Sequence, residues 1–276
     1  MKFEIIHRTI YLYASPVRDS FNEARLLPFS NEWQTVDQFL LRVLPAARLQ
    51  HHHDFYSNTI HHFEIAEPHT TLLIESQLKV TTRLPPWPAK SDTPWPLARI
   101  GEALREPRVF DFLQDSHYID LSPEVWRLAL DATAGITDTW QAALALLRHI
   151  HENFKYESHS TTVHTHMRDV LRDGRGVCQD FAHVLIGLCR ALKIPALYVS
   201  GYLATEVASA THAWVEILLP GTGWIGLDPT HNRPADDTYV KIAVGRDYAD
   251  VPPVAGNYKG TTDRKLEVKV DIKRLD

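Results

Sequence analysis

A chain of 276 residues, 44% hydrophobic and 23% charged, can bury a sizeable core and is too apolar to be a disordered segment. Its formal charge of −5, with no run of basic residues, argues against a nucleic-acid surface or a polybasic membrane surface. The opening MKFEIIHRTIYLYA breaks its apolar positions with Glu4, His7 and Arg8, unlike a signal peptide, and the run AALALL at 142–147 is far too short to span a bilayer. A cytoplasmic location is the default expectation, with no nucleic-acid or membrane partner.

The first third reads as antiparallel β-structure. FEIIHRTIYLY, WQTVDQFLLRVLP and NTIHHFEIAE are strand candidates rich in β-branched and aromatic residues. LLIESQLKVTT alternates: Leu72, Ile74, Leu78 and Val80 fall on one face, Glu75, Gln77 and Lys79 on the other. RLPPWPAKSDTPWP (83–96) cannot be regular, because its prolines fix φ and remove donors. The chain therefore divides into a β-rich domain over 1–84, a proline-rich connector over 85–98 and a second domain over 99–276.

Beyond the connector the pattern turns helical. SPEVWRLALDAT begins with Ser122 as a cap and Pro123 at the first helical position. A longer helix opens at Thr137 or Asp138, and a third covers 178–192 with Phe181, Leu185, Leu188 and Leu192 on one face. Strands then return in ALYVSGYL, THAWVEILL, GWIGLDPT, TYVKIAVG and RKLEVKVDIKRL. The fold class is α+β, with helices packed on an antiparallel sheet.

Both cysteines lie in the third helix. Eleven residues apart, they are separated by about 16 Å along the axis, whereas a disulfide needs Cα atoms within about 7 Å. Both are expected as free thiols. Cys178 opens the helix after the turn DGRG, where unpaired N–H groups and the dipole favour a thiolate. Cys189 sits among Leu185, Leu188 and Leu192 and reads as a small buried hydrophobe.

A cysteine nucleophile needs a base, and the base an orienting acceptor. His212 opens one strand and Asp228 ends the next. If PGTG closes a hairpin, loop parity decides whether they meet. A four-residue loop pairs Asp228 with Val215 on the wrong face. An odd loop pairs it with Trp214 and sets it diagonal to His212, roughly 7–8 Å backbone to backbone. Gly221 and Gly223 favour the odd loop.

GVCQDFAHVLIGLCRALKIPALYVSGY, followed by HAWVEILLPGTGWIGLDPT, resembles the bacterial transglutaminase-like superfamily with its papain-type Cys–His–Asp core. VRDSFNEARLLP and DFYSNTIHHFEI are similar to the β-rich N-terminal domain often attached to that core, although DFYSN carries Tyr-Ser where Phe-Gly is expected. VGRDYADVPPVAG resembles the segment that follows the aspartate. The resemblance implies Cys178 as nucleophile, His212 as general base and acid, and Asp228 as the group that orients the imidazole. It implies acyl transfer through a Cys thioester on a peptide or carboxamide, with water or a second amine as acceptor. The Cys178 backbone N–H would hold the oxyanion, with Tyr156 nominated as a second donor. Trp214 and Trp224 are candidate cleft walls. Amide or peptide hydrolysis is the expected outcome, transamidation the alternative within enzymes, and a non-catalytic peptide-binding module the alternative outside them.

Geometry separates the rival groups. His183 points about 140° around the helix from Cys178 at about 100° per residue, which leaves it a structural role. His231, just past Asp228, is a rival base, and Asp180 complements the helix dipole. Adjacent histidines at 51–53 and 61–62 point to opposite strand faces, and no HExxH pattern is present. No metal and no cofactor are expected. Exposed strand edges leave room for a homo-oligomer.

Overall fold

The computed structural model describes residues 1–85, 96–98, 100, 107–204, 211–219, 221–260 and 263–276. In chain order, the first region contributes β1 (Lys2–Leu27), β2 (Gln34–Leu44), β3 (Gln50–His53), β4 (Thr59–Ile65) and β5 (His69–Thr82). β1 runs for 26 residues because two stretches of period-two alternation meet in an irregular middle. Its pairing with β5 shifts register between Leu12 and Val17, and Asp19 takes φ 48°. The first half pairs with β5, which in turn pairs with β2; the second half pairs with β4, which pairs with β3.

The second region holds α1 (Pro123–Ala132), α2 (Thr139–Asn153), β6 (Lys155–Tyr156), α3 (Met167–Asp173), β7 (Arg175–Gly176) and α4 (Cys178–Ala191). Then follow β8 (Ala196–Leu203), β9 (Thr211–Leu219), β10 (Gly223–Asp228), β11 (Arg233–Pro234), β12 (Tyr239–Gly245), β13 (Val254–Lys259) and β14 (Arg264–Arg274). Ser122 caps α1, accepting from the Val125 N–H, and Asp138 caps α2, accepting from the Gln141 N–H, as their side-chain chemistry favours. β8 to β12 form an antiparallel sheet in the order β11-β10-β9-β8-β12. The chain is thus α+β, as expected.

α4 is the centre of the molecule. The sequence pattern gave it one apolar face, yet every residue from Gln179 to Arg190 is buried. α1, α2 and α3 pack around it, and β8 and β9 lie against it. Asp180, His183 and Arg190 enter the core with hydrogen-bond partners drawn from several segments, although among the described residues Asp180 Oδ1 and His183 Nδ1 have none. The Arg190 guanidinium donates to the carbonyls of Ala196, Gln114 and Arg246 at 2.7–3.1 Å; burial pulls its pKa down to about 10.

One departure concerns the C-terminal segment. RKLEVKVDIKRL reads as a strand of the second region and Val254–Lys259 carries no strand signal, yet the β14 and β13 they form both hydrogen-bond to β1. Period-two alternation identifies a strand without naming its partner, so their return to the first sheet had no local signal. The two regions also share one core, in which Phe3, Ile5, Leu78 and Val80 cluster with Leu185, Leu188 and Val215. Residues 86–95 of the expected connector lie outside the described residues.

Two side-chain amides tie the regions together along β12. Gln34 donates from Nε2 to the Lys241 carbonyl and accepts from the Lys241 N–H, both at 2.8 Å. Asn58 does the same at Val244, again at 2.8 Å. Each amide satisfies one donor and one acceptor on a strand whose backbone pairing, among the described residues, is with β8.

Candidate active site

Cys178 is the first residue of α4, and the structure around it fixes how it is presented. β6 and β7 pair in parallel, with Lys155 opposite Arg175 and Tyr156 opposite Gly176. Gly176 must be glycine: a Cβ there would lie 2.7 Å from Cβ of Asp180. Asp180 Oδ2 accepts from the Val177 N–H at 2.8 Å and the Thr161 hydroxyl at 2.6 Å. Burial raises the pKa of this carboxyl, against those two hydrogen bonds. Gln179 Nε2 donates to the Val163 carbonyl at 3.1 Å. The loop 157–166 is therefore fastened across the mouth of the helix. Cys178 is half-buried there, while Cys189 is buried and its thiol is pushed up to about 12.

The base arrives from the sheet. Leu219 pairs with Gly223 and Val215 with Leu227, so three residues close the β9–β10 hairpin. That odd loop sets Asp228 across from Trp214 and diagonal to His212, as the parity argument required. Gly221 and Gly223 take φ of 78° and 95°, a region that disfavours other residues. His212 Nε2 donates to Asp228 Oδ2 at 2.7 Å. With Nε2 committed to the carboxylate, Nδ1 is the ring nitrogen left for a second partner, and Cys178 is near enough to act on the charge of the ring. Burial lowers the imidazole pKa, but the hydrogen bonds and charges of Asp228 and Cys178 outweigh it and raise it to about 9.

Asp228 is fully buried and fully satisfied. Oδ2 accepts from His212 Nε2, from His231 Nδ1 and from the Tyr239 hydroxyl, each at 2.7 Å. Oδ1 accepts from the N–H groups of Thr230 at 2.8 Å and His231 at 3.2 Å. Burial favours the protonated acid, but the donors hold the carboxyl well below the usual range. Arg233 Nε donates to the Tyr239 hydroxyl at 3.1 Å. His231 and Tyr239 are thus further members of the site. DPTH placed His231 within three residues of Asp228, whereas Tyr239 enters from β12 with no local signal.

The remaining nominations separate. Tyr156 is 50% exposed beside the cysteine; burial, then the Cys178 and Asp180 charges, raise its phenol above the ordinary value, so the hydroxyl remains a donor at neutral pH. Trp214 requires correction. It is 1% exposed, with the His212 ring stacked at 6.3 Å and Tyr239 edge-on at 5.3 Å. A side chain so enclosed backs the imidazole, and with Trp224 and Tyr239 it borders a cavity on the side of Gln34 and Lys241. Trp224 packs edge-on against Phe112 at 5.3 Å. His183 is structural: fully buried, it stacks on Tyr118 and accepts from the Tyr248 N–H, and burial lowers its pKa to about 3. Among the described residues, His212, Asp228 and His231 are the one trio whose donor atoms lie within 4.8 Å of one another. Hydrogen bonds between these groups already satisfy the carboxylate.

A profile of the transglutaminase-like superfamily matches residues 127–229, and one of the bacterial transglutaminase-like N-terminal region matches residues 3–81. An uncharacterized protein of Mycobacterium leprae is 33% identical over 282 residues, spanning 99% of both chains. The chain belongs to the transglutaminase-like superfamily. Within solved structures, this transglutaminase-like chain is similar to a candidate cysteine protease from Cytophaga hutchinsonii, with TM-score 0.81, 27% identity, and coverage of 100% of this chain and 91% of that one. A protein-glutamine gamma-glutamyltransferase of Pseudomonas aeruginosa is 36% identical over 101 residues, which are 32% of this chain and 15% of that protein. The transglutaminase-like profile takes in Cys178, His212 and Asp228 alike. Among the described residues no helix is long and apolar enough to cross a membrane.

Proposed function

We propose that the protein is a thiol-dependent amidohydrolase or peptidase acting on a peptide or carboxamide. The observation that carries this reading is His212, held through Nε2 by Asp228 at 2.7 Å and close enough to Cys178, at the mouth of α4, for the thiol to act on the charge of its ring. His212 takes the thiol proton and Cys178 attacks the carbonyl carbon, forming the S–C bond. The imidazolium then passes that proton to the leaving amine as the C–N bond breaks. Water, deprotonated by His212, attacks the thioester; the acid departs and the thiol is restored. The Cys178 backbone N–H and the Tyr156 hydroxyl are the proposed oxyanion donors.

Hydrolysis is favoured over amine transfer because Cys178 is only half-buried and its neighbour Tyr156 is 50% exposed, which leaves water a route to the thioester. The whole-chain likeness to the Cytophaga protein points the same way.

The test is a peptide mixture digested with and without an added primary amine and read by mass spectrometry, alongside site-resolved iodoacetamide labelling. Cleavage that adds one water and vanishes in Cys178→Ala supports the proposal, as does labelling at Cys178 that slows in His212→Ala. Amine incorporation in place of cleavage would establish the transamidase. If neither product forms and Cys178 labels alike in both proteins, the peptide-binding module replaces the enzyme. Labelling that appears only after a chelator is added would make the site a metal centre.

A further inference from the structure

The last strand carries a pattern that neither the fold nor the site uses. β14 pairs residue by residue with the first half of β1, from Phe3 opposite Arg274 to Tyr13 opposite Arg264. Among the described residues its outer edge has no strand partner. An edge of 11 residues is long for an unpaired one. On its core-side face Leu266 is 52% and Val268 49% exposed, although their β1 partners Tyr11 and Thr9 are buried.

The other face bears Lys265, Glu267, Lys269, Asp271 and Lys273. Protective edges deter a second copy with charges that repel it. Here the signs reverse about Val268: Lys265 mirrors Asp271, and Glu267 mirrors Lys269. In an antiparallel pair of two β14 strands, residues directly opposite share a face. A two-fold axis at Val268 therefore opposes Lys265 with Asp271 and Glu267 with Lys269. It also sets Leu266 against Val270 and Val268 against its own copy, covering the two exposed apolar residues.

Neighbouring registers do worse. An axis at Lys269 opposes Lys265 with Lys273 and Glu267 with Asp271, all like charges. One at Val270 restores charge pairing but leaves Leu266 against Arg274. Within one chain Lys265 lies 2.8 Å from Glu267 and Asp271 lies 3.0 Å from Arg8, so the outward charges form a network a second copy would extend.

We infer that the protein forms a two-fold dimer through β14, joining two first sheets into one across Val268. Light scattering should return twice the 31.5 kDa of one chain. Glu267→Lys should raise the dimer dissociation constant roughly tenfold or more, and adding Lys269→Glu should restore it, which a folding defect would not allow. In a Cys178→Ala background, Val268→Cys should cross-link into a disulfide dimer on oxidation while Leu266→Cys should not. A monomer at the highest soluble concentration would overturn the inference. So would a dimer indifferent to Glu267→Lys, or cross-linking at Leu266→Cys alone.

Discussion

His231 Nδ1 lies 2.7 Å from Oδ2 of Asp228, the same oxygen that His212 engages. Two imidazoles thus share one buried anion, although the His231 side chain is 45% exposed and that of His212 only 9%. Solvent can replace the first and not the second. His231→Gln is expected to lower kcat/KM by about 2–10-fold, against roughly 10³-fold or more for His212→Ala. Tyr239→Phe removes an enclosed donor from the same oxygen and should cost about 1–3 kcal/mol of stability. Paired denaturation and kinetic measurements on the three variants rank the contributions.

The charge state of His212 sets a basic limit. Its pKa is raised from 6.5 to about 9, so the imidazolium persists through neutral pH and is lost as pH rises through about 9. The stability it contributes is fully present below 6.5 and disappears over the same rise. The kcat/KM profile should therefore fall on its basic side near pH 9, and Asp228→Asn should move that limb toward 6.5. Tm should drop more steeply between neutral and alkaline pH in the wild type than in His212→Gln.

Gly176→Ala tests how the nucleophile is held. The new Cβ would meet Asp180 Cβ at 2.7 Å, and Asp180 anchors both the first turn of α4 and Thr161. Displacing it should slow iodoacetamide labelling at Cys178 or scatter its rate, and lower Tm. Ala substitution at Gly174, where φ is 64° and a Cβ would meet nothing within 4 Å, should cost only backbone strain and leave labelling unchanged.

Trp214→Ala distinguishes support from substrate contact. Removing an enclosed indole should destabilise the fold by about 3–5 kcal/mol and lower kcat as the His212 ring loses its backing. A wall residue would instead raise KM in a protein of normal stability.

Much of this site could be read from the residues because the determinants were local. The helix mouth at Cys178 followed from DGRG and the apolar run behind it, and the hairpin parity from Gly221 and Gly223, which the left-handed turn requires. What could not be read was long-range. Tyr239 reaches Asp228 from β12, and Trp214 looks the same in sequence whether enclosed or exposed. α4 appeared amphipathic because Asp180, His183 and Arg190 are polar, yet backbone groups from distant segments satisfy Arg190 in the core. The helix Met167–Asp173 is short, and its cap is a histidine, His166, not a standard N-cap residue. β14 was legible as a strand and β13 was not, and the return of both to β1 is a property of the whole fold.

The amides of Gln34 and Asn58 bear on how this protein can be inherited and engineered. At Lys241 and Val244 they imitate the peptide groups of a sixth strand, so the outer boundary of the five-stranded sheet is written partly in the chain's first sixty residues. A fragment begun after residue 85 would leave β12 with a raw edge and open a core that Phe3 and Ile5 help to close. Such a fragment should aggregate or swap strands instead of folding as a free-standing catalytic module. The two halves must then be exchanged together or not at all, and heat should melt them in one cooperative step.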